Sequence, residues 1–190
     1  MNHSPRKYSL AAATRPPIDW GYWVVEDFFL AGAYPGNPDS KKHEQKIRSL
    51  LDADIRTFVN LMEPGETNLD RQPFAPYDDV VERLCPEASC VRIPVRDLSI
   101  PTVETMHTIL DTIDASLNGN RPVYVHCWGG VGRTGTTVGC WMLRHGMARP
   151  SNVLEVIAEL RQQDIERRHR TSPETSEQRA FVLDWEDDKA

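Results

Sequence analysis

The chain lacks the features that mark several large classes of protein. It has four cysteines in 190 residues and no C-x-x-C pair, so neither a zinc ribbon nor a thioredoxin-type motif is present. No apolar run is long enough to span a bilayer. The formal net charge of −6 argues against a general affinity for nucleic acid or anionic membranes. We therefore expect neither as a partner.

The N-terminus also lacks the pattern of a secretory signal. Arg6 and Lys7 precede the short run YSLAAAT, and Arg15 comes directly after that run and ends its apolar character. We therefore expect no signal peptide. A reducing cytoplasm is the predicted location, because it suits free thiols.

Strand and helix patterns alternate along the chain without a repeat or a linker. Short apolar runs predict strands, and apolar positions spaced by three or four residues predict amphipathic helices. The predicted strands lie in 22–36 (two strands), 55–62, 90–95 and 122–126. The predicted helices lie at 40–51, 102–118, 134–145, 151–163 and 176–185.

This order predicts a single α/β domain with a central, mostly parallel sheet flanked by helices. We assign 19–185 to this domain. Residues 1–18 are predicted to form a flexible N-terminal segment, and 186–190 a solvated tail.

The segment HCWGGVGRTG (126–135) lies between a predicted strand and a predicted helix. The start of a helix offers unpaired N–H groups and the positive end of the helix dipole. The glycines allow the loop backbone to curl around a phosphate-sized anion. Cys127 would lie at the bottom of this loop, where the N–H dipoles and Arg133 favour its thiolate form at neutral pH. Arg133 can hold two phosphate oxygens, and Thr134 can donate its hydroxyl to the sulfur.

The same letters contain G-x-G-x-x-G, which is a dinucleotide-binding pattern. That pattern should open a βαβ unit with an acidic residue at the end of the next strand. No strand pattern comes after residue 126, and Glu155 has the right spacing but lies in a predicted helix. This alternative is therefore rejected. A glycine-rich turn with a buried, inert cysteine is rejected as well, because it has no use for Arg133.

HCWGGVGRTG resembles the phosphate-binding loop of cysteine-dependent protein tyrosine phosphatases. The chain length resembles that of the dual-specificity branch, and the G-G-x-G-R pattern is similar to cyclin-dependent-kinase-associated phosphatases. The resemblance implies a catalytic domain of that type over 19–185 and hydrolysis through a cysteinyl-phosphate, without a metal or another cofactor. It also implies that the loop residues bind the substrate phosphate. These residues are Trp128, Gly129, Gly130, Val131, Gly132 and Arg133.

The leaving oxygen of a phosphate ester needs a proton, which must come from another loop. Asp97 comes after a predicted strand and lies in PVRDLSIP, 30 residues before Cys127. The family carries its acid at a similar separation, so the resemblance supports Asp97 as acid and then base. Asp111 and Asp114 fall in a predicted helix, and Asp78 and Asp79 lack a strand to position them.

Three further residues have predicted supporting roles, each with an alternative. His126 is expected to be buried and to bond the loop backbone near the cysteine, which also describes an ordinary core histidine. Trp128 either stacks on an aromatic leaving group or packs against the neighbouring sheet. Gln178 either orients the attacking water, as a late glutamine does in larger tyrosine phosphatases, or is a plain surface residue.

The interior of the loop has no lysine and no second arginine. Related phosphatases that act on inositol phosphates often carry basic residues there. A phosphoprotein, with phosphotyrosine first and phosphoserine or phosphothreonine second, is therefore the predicted substrate. The alternatives are a non-protein phosphate and a phosphate-binding module without turnover.

Overall fold

The structure is a computed structural model that describes residues 8–12 and 15–186. It contains five strands and six α-helices within those residues. The strands are β1 (Gly21–Val25), β2 (Phe29–Gly32), β3 (Thr57–Asn60), β4 (Ser89–Arg92) and β5 (Val123–His126). The helices are α1 (Ser40–Asp52), α2 (Asp78–Leu84), α3 (Val103–Asn118), α4 (Gly132–Arg144), α5 (Val153–Leu160) and α6 (Ser176–Leu183).

The strands form one sheet in the order β1-β2-β5-β3-β4. β5 lies in the middle and runs parallel to both of its neighbours, β2 and β3. β3 and β4 are also parallel, and only the β1–β2 pair is antiparallel. All four residues of β5 are buried, as expected for a strand covered on both faces. The predicted α/β class and the mostly parallel sheet are confirmed.

Three helices begin where a side chain accepts a hydrogen bond from a first-turn N–H. Asp39 caps α1, Thr102 caps α3 and Thr175 caps α6. Such a cap satisfies one of the otherwise unpaired donors at a helix start. These starts agree with the sequence patterns to within one residue.

The structure corrects several of the predicted bounds. α2 was not predicted, although Asp78 and Asp79 lie in its first turn, where the helix dipole favours acidic side chains. β4 ends at Arg92, although the Ile93 N–H still donates to the Asn60 carbonyl and the Val95 N–H to the Leu61 carbonyl. Val103, in the first turn of α3, does not belong to the buried face of that helix and is 47% exposed. The predicted last helix ends at Leu183.

The helix patterns around the central loop also differ in their bounds. α4 begins at Gly132, two residues before its predicted start. The helix predicted over 151–163 is α5 and then one 3₁₀ turn, Arg161–Gln163. The buried residues of α5 are Val153, Ile157 and Leu160.

The predicted division of the chain into 1–18, 19–185 and 186–190 stays a prediction. Residues 1–7, 13–14 and 187–190 lie outside the described residues. Of the described ones, the Ala11 N–H donates to the Val24 carbonyl, and Ile18 is buried. No helix in the described part of the chain has the length and apolar character needed to cross a membrane.

Candidate active site

The loop from Cys127 to Thr134, which we call the phosphate loop, joins the central strand β5 to helix α4. Hydrogen bonds to two of its carbonyls hold the loop in place: the Tyr34 N–H donates to the Trp128 carbonyl, and the Ser172 hydroxyl donates to the Val131 carbonyl. Cys127 is 3% exposed. The sequence therefore places the candidate nucleophile at the end of the central buried strand.

The start of α4 differs from the starts of α1, α3 and α6. Its N-cap is Val131, and no side chain bonds its first-turn N–H groups. The N–H groups of Trp128, Gly129, Gly130 and Val131 have no acceptor among the described residues. These unpaired donors and the helix dipole make the loop suited to an anion.

Gly130 is the residue that allows this curvature. Its φ is +66°, a conformation that L side chains rarely adopt. A Cβ at this position would lie 2.5 Å from the Gly32 carbonyl carbon. The loop can therefore pack against the end of β2 only with glycine there.

Arg133 is almost fully buried, and carboxylates hold its guanidinium. Glu66 binds both terminal nitrogens in a bidentate ion pair, with Nη2 3.0 Å from Oε2. Asp97 lies 2.8 Å from Nη2, and Nη1 donates to the Val95 carbonyl at 2.9 Å. Burial acts to lower the pKa of Arg133, but Glu66, Cys127 and Asp97 together hold it above the usual value.

One donor of Arg133 is unused. Its Nε is buried and has no hydrogen-bond partner among the described residues. A buried donor without an acceptor costs about 1–3 kcal/mol. An oxygen of a phosphate bound in the loop would satisfy this donor.

Glu66 is the site residue that sequence reasoning missed. It lies in the segment between β3 and α2, which was predicted only as a loop. A single carboxylate in such a segment gives no periodic signal. The only cue in the sequence was that a buried arginine must have a partner.

The structure places Asp97 beside Arg133 and places the alternative acids Asp111 and Asp114 elsewhere. Asp111 and Asp114 both bind Arg144, at the other end of α4. Asp97 lies in the segment 96–101, which we call the acid loop, and is 45% exposed. It therefore borders the phosphate loop from the solvent side.

His126 is fully buried and bonds the loop backbone, as predicted. Its Nδ1 lies 3.2 Å from the Cys127 carbonyl oxygen and its Nε2 lies 2.7 Å from the Tyr77 hydroxyl. Burial lowers the pKa of His126 to about 3, so the ring is neutral. Because a carbonyl only accepts, Nδ1 carries the proton and Nε2 accepts from Tyr77. Burial also raises the pKa of Tyr77, which keeps that hydroxyl protonated.

Thr134 does not form the predicted contact. Its hydroxyl donates to the Gly32 carbonyl across a long 3.4 Å, not to the sulfur of Cys127. The close packing of the loop on the end of β2 brings this carbonyl within reach. Thr134 is fully buried at the base of the loop.

The structure decides one of the alternatives for Gln178, whereas both alternatives for Trp128 stay predictions. The half-buried Trp128 ring packs on Phe74 with ring centres 5.6 Å apart. Gln178 is fully buried, so the surface alternative is wrong. Its Oε1 accepts from the Thr175 N–H in a capping box, and its Nε2 donates to the Ser99 carbonyl at 3.0 Å. Gln178 therefore joins the start of α6 to the acid loop.

The rim of the phosphate loop carries one further cation. Arg170 lies with Nη1 3.5 Å from where a Cβ on Gly129 would be. An ion pair with Glu174 partly offsets its charge. No group of three His, Cys, Asp or Glu residues in the described chain is placed to hold a metal ion.

A buried cysteine and a buried arginine on one loop between a central parallel strand and a helix define a cysteine-dependent phosphatase fold. A family model described as "Swiss Army Knife protein, DSP-PTPase phosphatase domain" (PTP-SAK) matches residues 23–182. The chain belongs to this family of dual-specificity-type phosphatase domains.

Two curated relatives illustrate the range of similar proteins. An uncharacterized protein of Methanocaldococcus jannaschii, MJECL20, is 36% identical over 94 residues, which are 49% of this chain and 56% of that protein. Phosphatidylglycerophosphate phosphatase PTPMT2 of Arabidopsis thaliana is 25% identical over 138 residues, which are 72% of this chain and 54% of that protein. The chain thus spans about half the length of the curated relatives it matches.

The fold is similar to that of solved phosphatases. Kinase associated phosphatase (KAP), crystallised with its catalytic-site cysteine replaced by serine, superposes with a TM-score of 0.65 and 18% identity. The match covers 81% of this chain and 83% of KAP. At this identity the similarity shows the fold alone.

Proposed function

We propose that the protein hydrolyses phosphomonoesters through a cysteinyl-phosphate and that its main substrate is phosphotyrosine in proteins. The observation that carries the chemistry is the pairing of Cys127 with Arg133, whose buried Nε has no partner among the described residues. A non-catalytic phosphate reader would need only the loop and the arginine. The presence of Asp97 beside them favours turnover.

In the first step the phosphate loop and Arg133 hold the phosphate oxygens above Cys127. The thiolate attacks phosphorus, so that an S–P bond forms and the P–O ester bond breaks. Asp97 gives its proton to the leaving oxygen, which departs as an alcohol or a phenol. Because Asp97 binds Arg133 as a carboxylate in the structure, it must leave this contact and take up a proton from solvent before it can protonate the leaving oxygen.

In the second step water attacks phosphorus and the S–P bond breaks. Asp97 takes the proton from the water, and inorganic phosphate and the thiolate are released. His126 supports both steps indirectly, because its neutral ring fixes the Cys127 carbonyl and thereby the loop backbone.

The charge balance at the site supports a substrate with one phosphate. The single guanidinium within the phosphate loop is bound by the carboxylate of Glu66, since Asp97 is protonated and has left Arg133 when it serves the leaving oxygen. The thiolate adds a second negative charge. A site with this balance has little attraction left for a second or third phosphate group.

One observation favours a second candidate, a non-protein phosphate ester with another anionic group. Arg170 reaches the rim of the loop at Gly129, where it can meet a second negative group of the substrate. PTPMT2, a relative named for phosphatidylglycerophosphate, makes a lipid phosphate a candidate of this kind.

A hydrolysis panel without added metal tests these alternatives. The substrates are a phosphotyrosine peptide, phosphoserine and phosphothreonine peptides, phosphatidylglycerophosphate, a phosphoinositide and a nucleoside monophosphate. The phosphotyrosine peptide is expected to have the highest kcat/KM, and Cys127→Ser gives the background for each substrate. A lipid phosphate in first place would replace the proposed substrate by the second candidate. No hydrolysis of any substrate would contradict the enzymatic proposal.

A further inference from the structure

A groove of about 610 Å³ lies against the acid loop. The acid loop and the first turn of α3 form one wall, and α6 with the residues after it forms the other. Its apolar lining includes Ile100, Val103 and Phe181, and its acidic lining consists of Glu177, Asp184 and Glu186. The catalytic proposal uses none of these residues. We call this surface the acidic groove.

Two apolar side chains on the acid-loop wall of the acidic groove are exposed, whereas Phe181 on the other wall is half-buried. Val103 is 47% exposed and Ile100 is 39% exposed. Leu98, next to Asp97 in the acid loop, is 54% exposed. Contiguous exposed apolar surface with a polar rim is typical of an interaction site.

The charge of the rim has one sign. Glu177, Asp184 and Glu186 are exposed carboxylates, and no Lys or Arg is found among the described residues that line the groove. Charge complementarity at a rim gives specificity and faster association. This rim is therefore complementary to lysine or arginine side chains that flank apolar ones.

The acidic groove borders the candidate active site. Ile100 lies three residues after Asp97 in the acid loop. Glu177 precedes Gln178, which donates to the Ser99 carbonyl of the same loop. A polypeptide in the groove would therefore contact the acid loop at Ile100, three residues from Asp97.

We infer that the acidic groove docks a segment of the phosphoprotein substrate that combines aliphatic residues with Lys or Arg. This inference rests on the proposed function for its phosphoprotein, but the docking itself needs no phosphate. The segment lies outside the phosphorylated residue, so it contributes to KM and leaves the chemical step unchanged.

Binding is measured first, with a probe that the active site does not recognise. An unphosphorylated peptide of alternating leucine and arginine, capped at both ends, is titrated into the full chain. The readout is the NMR signal of the Trp185 indole N–H, identified by its loss in Trp185→Phe. Trp185 lines the groove, and its Nε1 has no hydrogen-bond partner among the described residues. The signal is expected to shift with peptide, and the affinity is expected to fall as salt rises.

Kinetics then connect the acidic groove to turnover. Two phosphotyrosine peptides share one core, and one carries a leucine–arginine extension while the other carries a glycine–serine extension. The first is expected to have a kcat/KM about tenfold higher through a lower KM, since a few rim charges contribute modestly. The double variant Glu177→Lys/Asp184→Lys should lose this advantage. Asp52→Lys/Glu82→Lys makes the same change in net charge on exposed positions outside the groove and should keep it.

The outcomes separate the two proposals. No shift of the Trp185 signal, or an advantage that survives in Glu177→Lys/Asp184→Lys, overturns the docking inference. A shift that depends on protein concentration without peptide assigns the groove to a second copy of the chain and also overturns it. Peptide binding without hydrolysis of any phosphotyrosine peptide supports the docking surface and contradicts the proposed function alone.

Discussion

The phosphate loop and the acid loop meet at Arg133 but are held in different ways. The phosphate loop is buried against the sheet, and backbone bonds and the close contact of Gly130 with Gly32 fix its shape. The acid loop is largely exposed, and a few polar contacts attach it, among them Asp97 to Arg133 and Ser99 to Gln178. The nucleophile is therefore positioned by the core of the fold, whereas the acid is positioned at the surface. Changes in the phosphate loop should therefore abolish hydrolysis, whereas changes in the acid loop should reduce the rate without abolishing it.

The largest effect is expected at the bottom of the phosphate loop. Cys127→Ser should lower the hydrolysis of an aryl phosphate by roughly 10⁴-fold or more, because the covalent route is lost. Phosphate should still bind, since the loop N–H groups and Arg133 remain, and titration calorimetry measures this. Cys90→Ser, on the edge strand β4, is the control with unchanged turnover. Persistent turnover in Cys127→Ser would exclude the cysteinyl-phosphate.

A smaller and substrate-dependent effect is expected in the acid loop. Asp97→Asn should slow phenyl or alkyl phosphates by about 10²–10⁴-fold, because their leaving oxygens need a proton. The hydrolysis rate of p-nitrophenyl phosphate should fall much less, since its leaving group is stable as an anion. Asp79→Asn, at an acid not placed in the site, should change neither rate. Equal losses for both classes of substrate would assign the proton to another group.

Two neighbouring glycines of the phosphate loop test how strictly its shape is fixed. Gly130→Ala should lower the free energy of unfolding by about 2–5 kcal/mol, from the left-handed backbone and the overlap with Gly32. Gly129→Ala is the matched control, because its Cβ would meet Arg170 at 3.5 Å and Val131 at 3.9 Å, both ordinary contact distances. Urea unfolding measures both. Similar stabilities would mean that the loop is not fixed by packing.

Glu66 tests how Arg133 is held at the point where the two loops meet. Glu66→Gln keeps the shape of the side chain but removes the charge that binds Arg133. A hydrogen bond to a charged group contributes about 1.5–3 kcal/mol, so kcat/KM for an aryl phosphate should fall roughly 10- to 100-fold. Glu63→Gln, three residues earlier and exposed, should leave kcat/KM unchanged. If both variants behave alike, Arg133 does not depend on this ion pair.

The smallest effect is a pH dependence that arises at His126. Burial lowers its pKa from 6.5 to about 3 in the folded state. As the pH falls below 6.5, the unfolded chain takes up a proton that the folded chain does not, so stability decreases. At pH 5 this loss amounts to about 2 kcal/mol, at 1.36 kcal/mol per pH unit.

The variant His126→Gln should therefore lose less stability between pH 7 and pH 5 than the parent protein, whatever its stability at pH 7. The exposed His169→Gln should keep the parent slope. Urea unfolding at several pH values measures both. If the stability of His126→Gln falls with pH as steeply as that of the parent protein, the pH dependence does not arise at His126.

The same division between core and surface decides what the sequence could predict. Cys127, Arg133 and the flanking strand and helix were predictable, because a buried strand, three glycines and a fixed spacing leave few alternatives. The start of α4 at Gly132 was not predicted, because glycine is a weak helix former. Gly132 is helical because of the shape of the phosphate loop and not because of its own preference.

Residues that act across long separations were the harder ones to predict. Glu66 reaches Arg133 from a proline-containing segment without any repeating pattern. The hydroxyl of Thr134 finds Gly32, more than 100 residues earlier, only because the loop packs on β2. Gln178 was noticed, but its contact with the acid loop depends on how α6 is placed. Asp97 was found because the family supplied its separation from the cysteine.

The contrast between Gly129 and Gly130 also bears on how such an enzyme acquires new substrates. Most of the loop is fixed by its fit against the protein, but position 129 has room for a side chain and faces Arg170 at the rim. A single substitution at position 129 would therefore add side-chain atoms beside Arg170 at the rim. The contact of Gly130 with Gly32, which fixes the loop around Cys127, would stay as it is.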